Sequence, residues 1–97
     1  MQSYQASVES VFRALADPMR RAIVKQLSRK QASVSTVAKP LGISLAAVVQ
    51  HIQVLEECGV ISTHKEGRVR MCQVEPRALV VAEQWLSARR NSVSPTG

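Results

Sequence analysis

This 97-residue chain has only one aspartate (Asp17), three aromatic residues (Tyr4, Phe12, Trp85), two cysteines and two histidines. His51 and His64 are far apart in sequence, and neither a glycine-rich phosphate loop nor a CxxC occurs. No catalytic pair or ligand cluster is legible, so the chain is not expected to be an enzyme, and no cofactor is expected. Three aromatics give few platforms for single-stranded bases. Cys58 and Cys72 are too few for a disulfide scaffold and suit a reducing compartment. The longest apolar runs, Leu45 to Val49 and Ala78 to Ala82, are five residues each. A bilayer span needs ~20, so no membrane partner is expected. The N-terminus MQSYQASVES lacks the basic start and hydrophobic stretch of a secretory signal, and the expected location is the cytoplasm.

What is present is a cation excess. Thirteen Lys+Arg against seven Asp+Glu give a formal charge of +6, which favours a polyanionic partner. With so few aromatics, that partner is expected to be double-stranded DNA. A hydrophobic fraction of 45% is too high for a disordered basic tail, and the length allows one core. We expect one domain over 1–90 and a loose tail over 91–97.

Val8, Val11, Phe12 and Leu15 recur at i, i+3, i+4, i+7 and predict a helix over 7–16. Asp17-Pro18 ends it and starts the next, because Asp caps an N-terminus and Pro needs no donor at the first position. That second helix is expected to reach about Ser28, with Met19, Ala22, Ile23 and Leu27 inward. Ser35 is expected to cap a short helix through Val37 and Leu41, made irregular by Pro40. Gly42 suits the left-handed residue that ends it, and Ser44 caps another helix from Leu45 to about Cys58, with Val48, Ile52 and Leu55 buried and Gly59 as its stop. Two helices joined by a tight glycine turn make a helix-turn-helix. Val60 to His64 and Val69 to Val74 flank Lys65-Glu66-Gly67-Arg68 as a hairpin wing. If the hairpin is centred on Glu66-Gly67, Cys72 faces Ile61. Pro76 opens a last helix to about Arg90, whose apolar arc of about 160° exceeds the ~100° that one core contact uses. The surplus points to a second subunit.

This order has a physical logic for duplex DNA. The helix after the turn fits the major groove, and wing cations reach phosphates or the minor groove. Ser44, Ala46, Val49, Gln50 and Gln53 are the outward candidates on that helix. Lys39, Lys65, Arg68 and Arg70 flank it. The helix carries no charge before Glu56, so reading and phosphate contact are separated along the chain.

The runs FRALADPMRRAIVKQL (Phe12 to Leu27), SVSTVAKPLGIS (Ser33 to Ser44), VVQHIQVLEECGVI (Val48 to Ile61) and HKEGRVRMCQVEP (His64 to Pro76) resemble the ArsR/SmtB family of winged-helix repressors. The resemblance implies a mainly α winged helix-turn-helix with a small β-hairpin: four helices, two strands and a final helix. It further implies a homodimer paired through the first and last helices, occupying an inverted-repeat operator and repressing by occlusion. Val8, Phe12, Ala78, Val81, Ala82 and Trp85 are the expected dimer-interface residues. The metal-sensing members carry E-L-C-V-C-D-L where this chain has Gln31-Ala32-Ser33-Val34-Ser35-Thr36-Val37, and serine is a poor soft-metal ligand. No histidine follows His64, so the last helix lacks the other metal pattern of the family, and a non-metal-sensing type is expected, its effector unnamed.

Each candidate has a plainer alternative. Gln50 and Gln53 can pair bidentately with adenine, with Ala46 and Val49 on thymine methyls, or they can be solvated helix surface. Arg68 and Arg70 can neutralise phosphates or serve solubility. Arg20 or Arg21 can pair with Asp17, Glu56 or Glu57. Cys58 and Cys72 can form a thiol switch or fill a core. A winged-helix module that docks a protein rather than DNA is the alternative from a different class, supported by the uncharged helix.

Overall fold

The computed structural model describes residues 5–93. The chain order is α1 (Val8–Leu15), α2 (Pro18–Arg29), β1 (Ala32–Ser33), α3 (Val34–Ala38), a 3-10 turn (Lys39–Leu41), α4 (Leu45–Glu57), β2 (Ile61–Glu66), β3 (Val69–Val74) and α5 (Pro76–Ser92). Local chemistry accounts for most of the boundaries. Ser7 caps α1 reciprocally with Ser10, and the Asp17 carboxylate accepts the Arg20 N–H at 2.9 Å to open α2. Ser44 accepts the Ala47 N–H at the start of α4. Gly42 (φ 67°) and Gly59 (φ 79°) supply the left-handed residues that let the chain leave the 3-10 turn and α4.

Three expectations are corrected. The cap of α3 is Ser33, which accepts the Thr36 N–H at 3.1 Å, and not Ser35; the helix starts early because Ala32–Ser33 first pairs with β3. That pairing makes the sheet three-stranded and antiparallel, in the order β1-β3-β2, rather than a bare hairpin. The hairpin turns at Gly67-Arg68, with Glu66 opposite Val69, so Cys72 faces Thr63 and not Ile61. Gly67 takes φ 64° at the first loop position, where a type II′ turn requires glycine, and this places the turn one residue later than expected.

One core joins all elements. Val11 and Ala14 of α1, Ile23, Val24 and Leu27 of α2, Val37 of α3 and Val48, Ile52 and Leu55 of α4 are buried together with Val60, Ile61 and Cys72. Ala78 and Ala82 of α5 complete it. Both are therefore core residues of the subunit and are corrected from the expected interface: small side chains let α5 lie close against α1. Helix α5 reaches Ser92, two residues into the stretch expected as tail, and residues 94–97 of that stretch lie outside the described ones.

Arg20 and Arg21 are also corrected, since neither side chain takes a carboxylate. Arg20 donates to the carbonyls of Ala14 (2.7 Å) and Arg13 (3.0 Å), and Arg21 to those of Leu15 (2.7 Å) and Ala16 (3.2 Å). Two neighbouring guanidinium groups thus satisfy the open C-terminal carbonyls of α1 across the tight Asp17-Pro18 corner.

Candidate nucleic-acid interface

The segments Val34–Leu41 and Leu45–Glu57 meet at 116°, within the range of helix-turn-helix units. Helix α4 is held from behind by Val48, Ile52 and Leu55, which fixes what it shows outward. Ala46, Val49, Gln50 and Gln53 recur at i, i+3, i+4, i+7 on the opposite side, and all four are exposed. Leu45 (56% exposed) and Val49 (38%) add apolar surface at the helix start. Ser44 stands at the tip; its oxygen is engaged in capping, and its hydroxyl proton is left to donate. Lys39 is exposed on the 3-10 turn leading into the motif.

The wing follows α4 and packs against it through β2. Lys65, Arg68 and Arg70 are exposed, and Lys65 lies directly across from Arg70. Arg70 is not free in solvent: its Nη1 donates to Thr63 Oγ1 at 2.8 Å, and that hydroxyl donates to Glu56 Oε2 at 2.8 Å. Sequence reasoning missed Thr63 and Glu56, because their pairing depends on the strand register. His64 Nε2 lies 2.7 Å from Glu66 Oε2 on the wing surface. Of the ion pairs among the described residues, none involves Lys39, Lys65, Arg68 or Arg70.

His51 is turned away from the outward stripe. It is half-buried, with Nδ1 4.0 Å from the Asp17 carboxylate. Asp17 is held below the ordinary carboxylate range, first by the Arg20 backbone N–H and then by the charge of His51.

Both cysteines are buried. Arg13 Nη2 donates to Cys58 Sγ at 3.4 Å, and the Ser10 hydroxyl to the Cys58 carbonyl at 2.9 Å, so α1 grips the end of α4 at this residue. Burial pushes the Cys72 thiol up, which favours the unreactive protonated form. At the position of the family's first metal cysteine, Ser33 spends its oxygen on capping α3.

The expected interface residues lie along α1 and α5. Phe12 packs edge-on against Trp85 at 5.8 Å and 80°, and the Arg89 guanidinium lies 5.0 Å above the Trp85 ring. Val8, Phe12 and Val81 are half-buried, while Trp85 is 41% exposed beside Leu79, Val80 and Leu86 (53%). Leu79 and Leu86 were signalled by the wide apolar arc of this helix.

A helix-turn-helix domain model matches residues 15–64, which span α2 through the turn and α4 into the wing. The crystal structure of an ArsR family transcriptional regulator superposes with a TM-score of 0.82 at 44% identity, covering 87% of this chain and 92% of that one. The chain belongs to the ArsR family of transcriptional regulators. The HTH-type transcriptional regulator Rv2034 of Mycobacterium tuberculosis is 35% identical over 79 residues, covering 81% of this chain and 73% of that protein. The transcriptional repressor SdpR of Bacillus subtilis is 27% identical over 79 residues, covering 81% and 88%. This ArsR-family chain is accordingly a DNA-binding winged helix-turn-helix regulator, with α4 as its recognition helix and β2–β3 as its wing.

Proposed function

We propose that the protein is a dimeric repressor that occupies an inverted-repeat operator and excludes other proteins from it. Two copies pair through α1 and α5, burying Trp85, Leu86, Val80 and Leu79. The two α4 helices then enter successive major grooves about 10 base pairs apart, or a multiple of that. Ala46, Val49, Gln50 and Gln53 meet base edges, while Lys39, Lys65, Arg68 and Arg70 meet phosphates, with Arg68 at the wing tip near the minor groove. The observation that carries this reading is the exposed stripe of α4, opposite its buried edge, together with exposed wing cations outside any ion pair.

The stripe holds amides and small apolar groups and no arginine. It suits adenine and thymine in the major groove and has little for guanine. Selection from random duplexes, followed by footprinting on the enriched sequence, tests both halves of the proposal. The expected result is a two-fold symmetric site with A·T positions at the centre of each half-site. Enriched sequences without dyad symmetry, or with invariant G·C-only cores, contradict it.

A further inference from the structure

A groove of about 410 Å3 lies between the C-terminal half of α2 and the segment formed by α3 and the 3-10 turn. None of the outward residues of α4 or of the wing lines it. Its volume falls in the range of about 300–1,000 Å3 usual for small-molecule sites. Ala22, Pro40 and Leu41 give it an apolar wall, and Lys25, Arg29 and Lys30 give it a cationic edge; no acidic side chain lines it. Among the described residues these three cations enter no ion pair, and their side chains donate no hydrogen bond within the chain.

The helix gains little from this arrangement. Lys25 and Arg29 are like charges at i, i+4, which repel along one face. The helix dipole accounts for Arg29 in the last turn but not for Lys25 a turn earlier. A bare anion cannot use the apolar wall, and an uncharged apolar molecule leaves the cations without a partner. A ligand with one anionic head and a compact apolar body uses both.

We propose that this groove binds small amphipathic carboxylates, the head group on Arg29 with Lys25 and Lys30 beside it and the apolar body against Ala22, Pro40 and Leu41. The far wall belongs to the segment that passes through Gly42 into α4, so the bound molecule sits against the turn of the helix-turn-helix and leaves the base-facing stripe open.

The test uses the isotopically labelled full-length protein without DNA, so that it stands apart from the operator reading. Amide chemical shifts are followed while sodium octanoate, 1-octanol or inorganic phosphate is added. Octanoate is expected to give saturable shifts centred on residues 22–41, with octanol and phosphate each binding about tenfold more weakly or worse. The exposed double variant Lys25→Gln/Arg29→Gln is expected to melt at the wild-type temperature and to lose about tenfold or more in octanoate affinity. The proposal is overturned if residues 22–41 show no saturable shift, or if the shifts centre on Leu79, Trp85 and Leu86. Phosphate matching octanoate, or the double variant binding octanoate as wild type does, overturns it equally.

Discussion

A single hydroxyl, that of Thr63, joins the recognition helix to both strands of the wing: it donates to Glu56 Oε2 in the last turn of α4 and accepts from Arg70 Nη1 of β3, each at 2.8 Å. The orientation of the wing relative to α4 therefore depends on a polar link as well as on the buried Ile61 and Cys72. Thr63→Val keeps the β-branched shape and removes the link. We expect it to cost about 1 kcal/mol, the usual net worth of such a hydrogen bond, read as a lower denaturation midpoint at unchanged slope. A wild-type midpoint sets the link aside as unimportant to stability.

Gly59 and Gly42 separate conformational cost from steric cost. Both have positive φ, but a Cβ on Gly42 meets nothing within 4 Å, whereas one on Gly59 falls 2.7 Å from the Ala6 backbone nitrogen. Gly42→Ala is expected to cost about 1–2 kcal/mol for the left-handed conformation alone. Gly59→Ala adds an overpacking cost of about 1–3 kcal/mol, because backbone has to move. Paired denaturation curves check the order, and equal losses contradict the close approach of the N-terminal segment to α4.

Asp17 gives a pH dependence of known sign. Its folded pKa lies below the ordinary value of 3.8, so its contribution is fully present above that value and is lost as pH falls through the lowered folded value. Asp17→Asn keeps a capping oxygen without the charge. The stability gap between wild type and this variant should close as pH drops below about 4. A gap that widens as pH falls below about 4 has the wrong sign for this account.

The two thiols are expected to be inert in the folded protein. Cys58 and Cys72 are both fully buried, and burial raises the Cys72 thiol. Labelling by a disulfide reagent should be slow in buffer and fast in denaturant, and Cys72→Ser should bind DNA as wild type does, with or without oxidant. Rapid native labelling that releases DNA revives the thiol-switched alternative.

Local signals made much of this fold legible. Asp17-Pro18, Gly42, Ser44 and Gly59 each act within a few residues of themselves, and each stands where the sequence places it. The outward stripe of α4 followed from the periodicity of Val48, Ile52 and Leu55. What escaped depended on distant chain. A two-residue strand such as Ala32–Ser33 has no period, and its partner Met71–Cys72 is almost forty residues away in sequence. The hairpin register turned on which residue took the left-handed angle, and placing Gly67 first instead of second shifted every cross-strand neighbour. Arginines at 20 and 21 read as carboxylate partners because charge is visible in a sequence, whereas open helix carbonyls are not. Ala78 and Ala82 are apolar like the rest of that arc of α5, but only packing shows that these two are buried in the subunit while Leu79, Val80 and Leu86 stay exposed.

The central claim is that α4 reads bases while the wing holds phosphates. Fluorescence anisotropy of the reduced, metal-free protein on DNA upstream of its own gene, against scrambled DNA and across a salt series, tests it with two variants. Wild type should prefer the specific DNA, with a steep salt slope of about −0.9 per neutralised phosphate. Gln50→Ala should lose about 1–3 kcal/mol of discrimination at an unchanged slope, and Arg68→Ala should weaken both DNAs alike and reduce the slope by about one. Binding that ignores both salt and sequence, with neither variant distinguishable from wild type, contradicts the account and favours a winged helix that docks a protein.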